Sequence, residues 1–147
     1  MTKKTFGKIL SANDVGATGG HQGGVLIPKS DTELLAFLPH LDPATKNPDA
    51  WIECEDENGT QRRFRFIYYN NRLHDAHGTR NEYRITYMTS YFREMGACEG
   101  DTFEISRMDD NEPNYFIMVR RPPVKSTNSE SEQVLRIKIK SGWRRVH

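Results

Sequence analysis

Side chains that can hydrogen-bond to the edges of nucleic-acid bases are concentrated in one polar segment, Asn70–Arg84. It contains Asn70, Asn71, Arg72, Thr79, Arg80, Asn81, Glu82 and Arg84. Arginine donates a fork to guanine, asparagine matches adenine, and glutamate accepts from the cytosine amine. A surface that bound only phosphates would avoid a carboxylate, so Glu82 among arginines favours base reading. The alternative is that Glu82 only pairs with Arg80 or Arg84 in a solvated loop.

A second segment, Ser11–Pro28, is rich in glycine. Five glycines fall within nine residues, and His21 and Gln22 stand among them. Glycine lets the backbone approach a ligand closely, with His21 and Gln22 as polar readers. On composition alone, a flexible surface loop is the favoured alternative.

The net charge of +1 hides charge blocks of alternating sign. Residues 60–93 hold seven arginines and no lysine, against Asp75 and Glu82. Arginine forks onto phosphates and guanine edges. The blocks therefore predict a basic face suited to a polyanion, unless they cancel when the chain folds.

Common catalytic motifs are absent from the sequence. The glycines do not form GxGxxG or a phosphate-binding Gly-Lys-Ser/Thr loop, and GxSxG is missing. No lysine has Asp or Glu two residues before it, the pair that many metal-dependent nucleases use. Cys54 and Cys98 are expected to be small buried hydrophobic residues. We therefore expect a non-catalytic domain without a metal or cofactor. A metal-dependent nuclease using His74 and His77 with Glu82 remains the enzymatic alternative.

Hydrophobic residues alternate with a period of two through most of the chain, which indicates β-strands. Strands are predicted at Thr5–Ser11, Val25–Pro28, Ala50–Glu55, Gln61–Tyr69, Arg84–Met88, Thr102–Arg107, Tyr115–Val119 and around Leu135–Lys140. Asn58-Gly59 predicts a hairpin turn, and Ser30 with Glu33 forms a capping box that predicts a helix over Asp31–Leu38. A second short helix is expected at Ser90–Met95. About eight strands and two short helices favour an all-β barrel or sandwich, because closing the sheet removes exposed edges.

Length and composition indicate one domain. The 147 residues fit a single domain, and no apolar run approaches the ~18 residues of a membrane span. The N-terminus lacks the apolar region of a secretory signal. We therefore expect a cytoplasmic protein that does not bind membranes.

Three strings resemble the N-terminal effector domain of the EcoRII restriction endonuclease family, within the B3 DNA-binding pseudobarrel superfamily. They are SANDVGATGGHQ, IYYNNR and GTRNEYRIT. The resemblance implies a mainly β fold, a seven- to eight-stranded open pseudobarrel with two short helices. It also implies two loops, the N-arm (residues 8–24) and the C-arm (residues 70–84), that grip the major groove of double-stranded DNA. The family reads a CC(A/T)GG-like site without needing a metal.

Carried over to this sequence, the resemblance implies a set of DNA contacts in and near the two arms. Lys8, His21 and Gln22 belong to the N-arm; Arg80, Asn81 and Glu82 match base readers; Arg65, Arg72 and Arg84 match phosphate or arm-positioning residues; Asn70 and Thr79 complete the expected DNA-binding set. Tyr83 stands where the family motif has lysine and Leu26 where it has tyrosine. Fewer lysines should mean fewer phosphate contacts and a shallower salt dependence.

These observations together predict the recognition or effector domain of a type II restriction endonuclease. The nuclease domain is expected beyond residue 147, and this domain is expected to bind DNA as a monomer. A stand-alone, transcription-factor-like DNA-binding protein is the alternative.

Overall fold

The structure is a computed structural model that describes residues 3–16, 24–108, 114–122 and 142–146. Its described part contains eight strands. They are β1 (Lys4–Ile9), β2 (Val25–Ile27), β3 (Asp49–Glu55), β4 (Gln61–Tyr69), β5 (Glu82–Thr86), β6 (Thr102–Arg107), β7 (Tyr115–Arg120) and β8 (Trp143–Arg145). The strand predicted at Leu135–Lys140 lies outside the described residues.

All eight strands form one sheet in the order β2-β5-β4-β3-β7-β6-β1-β8. Neighbours are antiparallel except β3 and β7, which run parallel. The two edge strands meet because the indole Nε1 of Trp143 in β8 donates to the carbonyl of Leu26 in β2 at 2.8 Å. A side-chain hydrogen bond therefore joins the edges, and the sheet is an open barrel, as the sequence predicts.

The core lies inside this curled sheet and follows the period-two pattern. In β4, Phe64, Phe66 and Tyr68 point inward and are buried, whereas Arg63 and Arg65 lie on the outer face. Phe6, Ile52, Ile85, Phe103, Ile105 and Ile117 contribute from other strands. Burial of these apolar side chains is the main stabilising contribution to the fold.

Three short helices are described, where two were predicted. The expected pair is present as α1 (Thr32–Phe37) and α3 (Thr89–Glu94), while α2 (Asn71–His74) occupies part of a segment predicted as loop. It follows directly after β4.

The N-cap of α1 differs from the prediction. The cap is Asp31, whose side chain accepts from the Leu34 amide at 3.1 Å, so the capping residue is not Ser30. Glu33 pairs with Arg145 instead of closing a capping box. The carboxylate of Asp31 lies one residue closer to the helix and replaces the serine hydroxyl in this role.

The two cysteines have different environments. Cys54 is buried as predicted, and burial, with a smaller contribution from Glu53, raises the pKa of its thiol to about 12. Cys98 is exposed, so its prediction as a buried residue was wrong. It follows α3 in a turn region where Asp101 accepts from its backbone amide. No helix among the described residues is long and apolar enough to cross a membrane.

Candidate nucleic-acid interface

The two arms emerge next to opposite ends of β5. The N-arm connects β1 to β2, and β2 pairs with β5 so that Val25 lies opposite Ile85. The C-arm connects β4 to β5 and enters β5 at Glu82. Because β5 has five residues, its ends are about 13 Å apart at ~3.3 Å per residue. The bases of two loops widely separated in sequence thus flank the same strand.

The base of the N-arm is held by a buried ion pair. Lys8 pairs with Asp14, whose Oδ2 also accepts from the Ser11 amide at 3.0 Å. The Gly24 amide donates to the Asp14 carbonyl at 3.0 Å, which joins the two ends of the arm. Lys8 is 7% exposed, so this geometry gives it a role in holding the arm. His21 and Gln22 lie outside the described residues.

The C-arm is a small folded unit. The amide of Arg80 donates to the side-chain Oδ1 of Asn71 at 2.8 Å, and the amide of Arg72 donates to the carbonyl of Arg80 at 3.0 Å. These bonds hold the outgoing and returning segments of the arm together. Gly78 makes this possible, since a Cβ at this position would stand 2.2 Å from the Asn71 carbonyl oxygen.

A charged cluster occupies the end of the C-arm and the start of β5. Oε2 of Glu82 accepts from Nε of Arg84 and lies 3.4 Å from Nη2 of Arg80. The guanidinium of Arg80 also stacks 3.6 Å from the ring centroid of Tyr69. The side chain of Arg80 is 41% exposed and that of Glu82 is 30% exposed. The cluster is therefore preorganised and reachable by a ligand. The pairing of Glu82 with Arg80 and Arg84, which the sequence analysis gave as the alternative to base reading, is present.

Burial disfavours the charged form of Glu82, but hydrogen bonds and charge from Arg84 and Arg80 outweigh it and hold its pKa below its usual value. A lowered folded-state pKa adds stability above the unfolded-state pKa, and that stability is lost as the pH falls through the folded value. We therefore expect the cluster to persist from neutral pH to below 4.5, the ordinary value for glutamate. An NMR titration of the Glu82 carboxyl carbon should give an inflection below 4.5; one above it would contradict the ion-pair geometry.

Asn81 lies on the opposite side of the chain from Arg80 and Glu82. Its Oδ1 accepts from the hydroxyl of Tyr68 at 2.5 Å, and Tyr68 stacks on Tyr83 with ring centroids 4.1 Å apart. Matching adenine needs both the carbonyl and the amine of an asparagine. The Tyr68 hydroxyl occupies one of the two lone pairs of that oxygen, so a base that paired with Asn81 would share the carbonyl with Tyr68.

The remaining predicted residues divide between surface and interior. Arg72 and Thr79 are exposed, and Nε of Arg65 donates to Asp49 at 2.6 Å on the outer face of the sheet. Asn70 is fully buried at the base of the C-arm. Its amide is hydrogen-bonded within the protein, so this geometry gives it a positioning role.

In the described part of the chain, His74, His77 and Glu82 do not come together as a metal site. The Nε2 of His74 lies 3.0 Å from the Pro43 carbonyl. Among the described residues, no group of three or more His, Cys, Asp or Glu side chains could hold a metal ion.

Sequence reasoning gave no role to Tyr69 or Gly78, and it listed Asn71 as a base-edge type, whereas the structure shows its side chain holding the Arg80 amide. Tyr69 could have been found, because antiparallel pairing of two strands joined by one loop places it opposite Glu82. The bond from Arg80 to Asn71 depends on the fold of the loop, which strand periodicity does not specify.

An open eight-stranded barrel with two loops beside one strand is the architecture of B3-type pseudobarrel domains. The structure is similar to a chain in an Arabidopsis FUS3–DNA complex. The alignment covers 80% of this chain and 96% of that chain, with a TM-score of 0.57 and 24% identity. This chain aligns over 99% of its length with 88% of the B3 domain of the UbaLAI restriction endonuclease, solved with cognate DNA, with a TM-score of 0.55 and 21% identity. At these identities the likeness shows the fold.

The chain belongs to the family described as "Restriction endonuclease EcoRII, N-terminal", whose profile matches residues 2–97. It is 41% identical over 87 residues to the type II restriction enzyme EcoRII of Escherichia coli. That alignment covers 54% of this chain and 19% of the relative, so the match spans about a fifth of the enzyme's length. The resemblance inferred from the arm strings is confirmed.

Proposed function

We propose that this domain binds double-stranded DNA sequence-specifically through the major groove, as the non-catalytic recognition domain of a type II restriction endonuclease. Family membership and the B3-type fold support this function. The observation that carries it is the partly exposed, preorganised Arg80–Glu82–Arg84 cluster at the end of the C-arm.

The chemistry of the cluster favours G·C base pairs. Arginine donates to guanine N7 and O6, and a carboxylate accepts from the cytosine amine. Both arginines contact Oε2 of Glu82, and no described residue contributes a hydrogen bond to its Oε1. Oε1 can therefore accept from cytosine while Arg80 donates to guanine. This chemistry suits a CC(A/T)GG-like site.

The spacing of the arms also suits a duplex. The ~13 Å between the ends of β5 is close to the ~12 Å width of the major groove. The two arms can therefore enter one groove from one side of the barrel, with the exposed Arg72 and Thr79 near the DNA backbone. We expect a monomeric domain to bind without a metal, and cleavage to depend on a separate nuclease domain of the full-length protein.

Fluorescence anisotropy at physiological salt, without divalent metal, tests this function. A duplex containing CCTGG should bind about 100-fold more tightly than a scrambled duplex of equal composition, as expected for two or more well-made base contacts. Arg80→Ala should lower this preference about tenfold or more. Arg93→Ala, which removes an exposed arginine of α3 outside both arms, should leave it unchanged.

Equal and strongly salt-dependent binding to both duplexes would reduce the cluster to a phosphate-binding surface. Binding to neither duplex would exclude DNA as the ligand. An unchanged preference in Arg80→Ala would remove the C-arm from base reading.

A further inference from the structure

A loop outside both arms, residues 41–48, contacts the point where the C-arm leaves the barrel. We call this segment the brace loop. Asn70 is the residue at this point, between the end of β4 and the start of α2. It is 0% exposed, so every polar group it carries must be satisfied within the protein.

The brace loop satisfies those groups. The side-chain Nδ2 of Asn70 donates to the carbonyls of Pro43 at 3.2 Å and Thr45 at 2.9 Å. Its Oδ1 accepts from the Asn47 amide at 2.6 Å, and its own amide donates to Oδ1 of Asn47 at 3.0 Å. The two asparagines thus form a reciprocal pair between loop and arm.

The backbone of Asn47 is specialised for this pair. Its φ of 49° lies in the left-handed region, which asparagine, aspartate and glycine tolerate better than other residues. Two further contacts join the loop to α2 and its C-cap: His74 Nε2 to the Pro43 carbonyl, at 3.0 Å, and Lys46 to Asp75, at 2.6 Å.

From this geometry we propose that Asn47 and Asn70 are positioning residues that set the direction of the C-arm, and that the brace loop determines base selectivity without touching DNA. Only one residue connects the brace contact to the proposed base reader Arg80. Asn71 follows Asn70 in sequence, and its side chain accepts from the Arg80 amide. Phosphate contacts tolerate small displacements of the arm, whereas forked contacts to base edges do not. The proposal rests on the proposed function for its selectivity, but the ordering of the arm can be tested separately.

The test compares Asn47→Gly, Asn47→Asp and Asp56→Ala. Asn47→Gly keeps the backbone conformation and removes Oδ1. Asn47→Asp keeps both the conformation and an acceptor for the Asn70 amide. Asp56→Ala is the matched control: Asp56 is a buried side chain that organises the turn at the far end of β4 from the C-arm.

Hydrogen exchange of the free proteins gives the first readout. Asn47→Gly should speed exchange at the amides of Arg72 and Arg80, Asn47→Asp should restore slow exchange, and Asp56→Ala should leave these two amides unchanged. Unchanged exchange in Asn47→Gly would overturn the proposal whether or not the domain binds DNA.

Binding gives the second readout, with the tightest duplex selected by the unmodified domain from a random pool and a scrambled duplex of equal composition. Asn47→Gly should reduce the ratio of the two affinities about tenfold with little change for the scrambled duplex, and Asn47→Asp should recover it. An equal loss for both duplexes, or an equal loss of the ratio in Asp56→Ala, would make the brace merely structural. If the unmodified domain selects no sequence, the proposed function fails, and hydrogen exchange alone decides the role of the brace in ordering the arm.

Discussion

Gly78→Ala should abolish the preference for one DNA sequence while leaving the barrel folded. A Cβ at residue 78 would stand 2.2 Å from the carbonyl oxygen and 2.4 Å from the carbonyl carbon of Asn71. Backbone atoms at this distance cannot be avoided by a change of rotamer, so the outer part of the arm must move away from α2. That movement breaks the bonds that join Arg80 to Asn71 and Arg72.

The expected loss in affinity for the preferred duplex is about 100-fold, because Arg80 and Glu82 are both displaced from the positions that base contacts require. Gly59→Ala is the control. Gly59 also tightens a loop, with φ of 78°, but a Cβ there meets no atom within 4 Å. The control should cost about 1–2 kcal/mol of stability, because alanine is strained at this positive φ, and it should keep the preference. Anisotropy with both duplexes and circular dichroism measure the two effects; retained selectivity in Gly78→Ala would exclude the C-arm as the reading element.

Trp143→Ala should lower the free energy of unfolding by about 3–5 kcal/mol, the range found for large aromatic residues removed from a core. Trp143 is 5% exposed, packs edge-on against Phe103, and donates the hydrogen bond that joins β8 to β2. Its loss removes buried apolar area and leaves the Leu26 carbonyl without this donor.

Trp143→Phe separates the two contributions, because phenylalanine keeps an aromatic ring but has no N–H group. It should cost about 1–3 kcal/mol, largely from the unsatisfied acceptor. Urea denaturation of both variants provides the values, with Phe116→Ala as a control at a side chain that is 40% exposed. A cost for Trp143→Ala near that of the control would show that the two sheet edges are held together by other contacts.

Local patterns in the sequence were sufficient to predict most of the barrel. β4 and β6 have the predicted bounds. In β4 the buried Phe64 and Phe66 flank the partly exposed Arg65, whereas in β6 Glu104 and Ser106 are buried beside Phe103 and Ile105. The Asn58-Gly59 turn is present, with Gly59 at a φ of 78°. By contrast, the pairing of Asn47 with Asn70 joins residues that are 23 positions apart in sequence. Periodicity describes neighbours along one element and contains no information about such contacts.

The candidate site shows the same division. Residue types alone identified Arg80, Glu82 and Arg84 as chemically suited to base edges, and the structure places them in one cluster. Residue types could not indicate that Tyr68 engages the carbonyl of Asn81, or that Lys8 and Asn70 are buried. Each of these outcomes follows from which face of the sheet a side chain occupies and from what packs above it.

The bond between Trp143 and Leu26 also has a consequence for synthesis on the ribosome. It joins residues 117 positions apart, and the strand that carries Trp143 pairs with β1. Contacts over such separations are entropically costly to form and slow to appear. A growing chain can pair β3, β4 and β5 early, but the first strand must wait for the last before the barrel can close. Until then the strand edges that meet in the closed barrel are unpaired, and such edges expose a nascent domain to association with its neighbours.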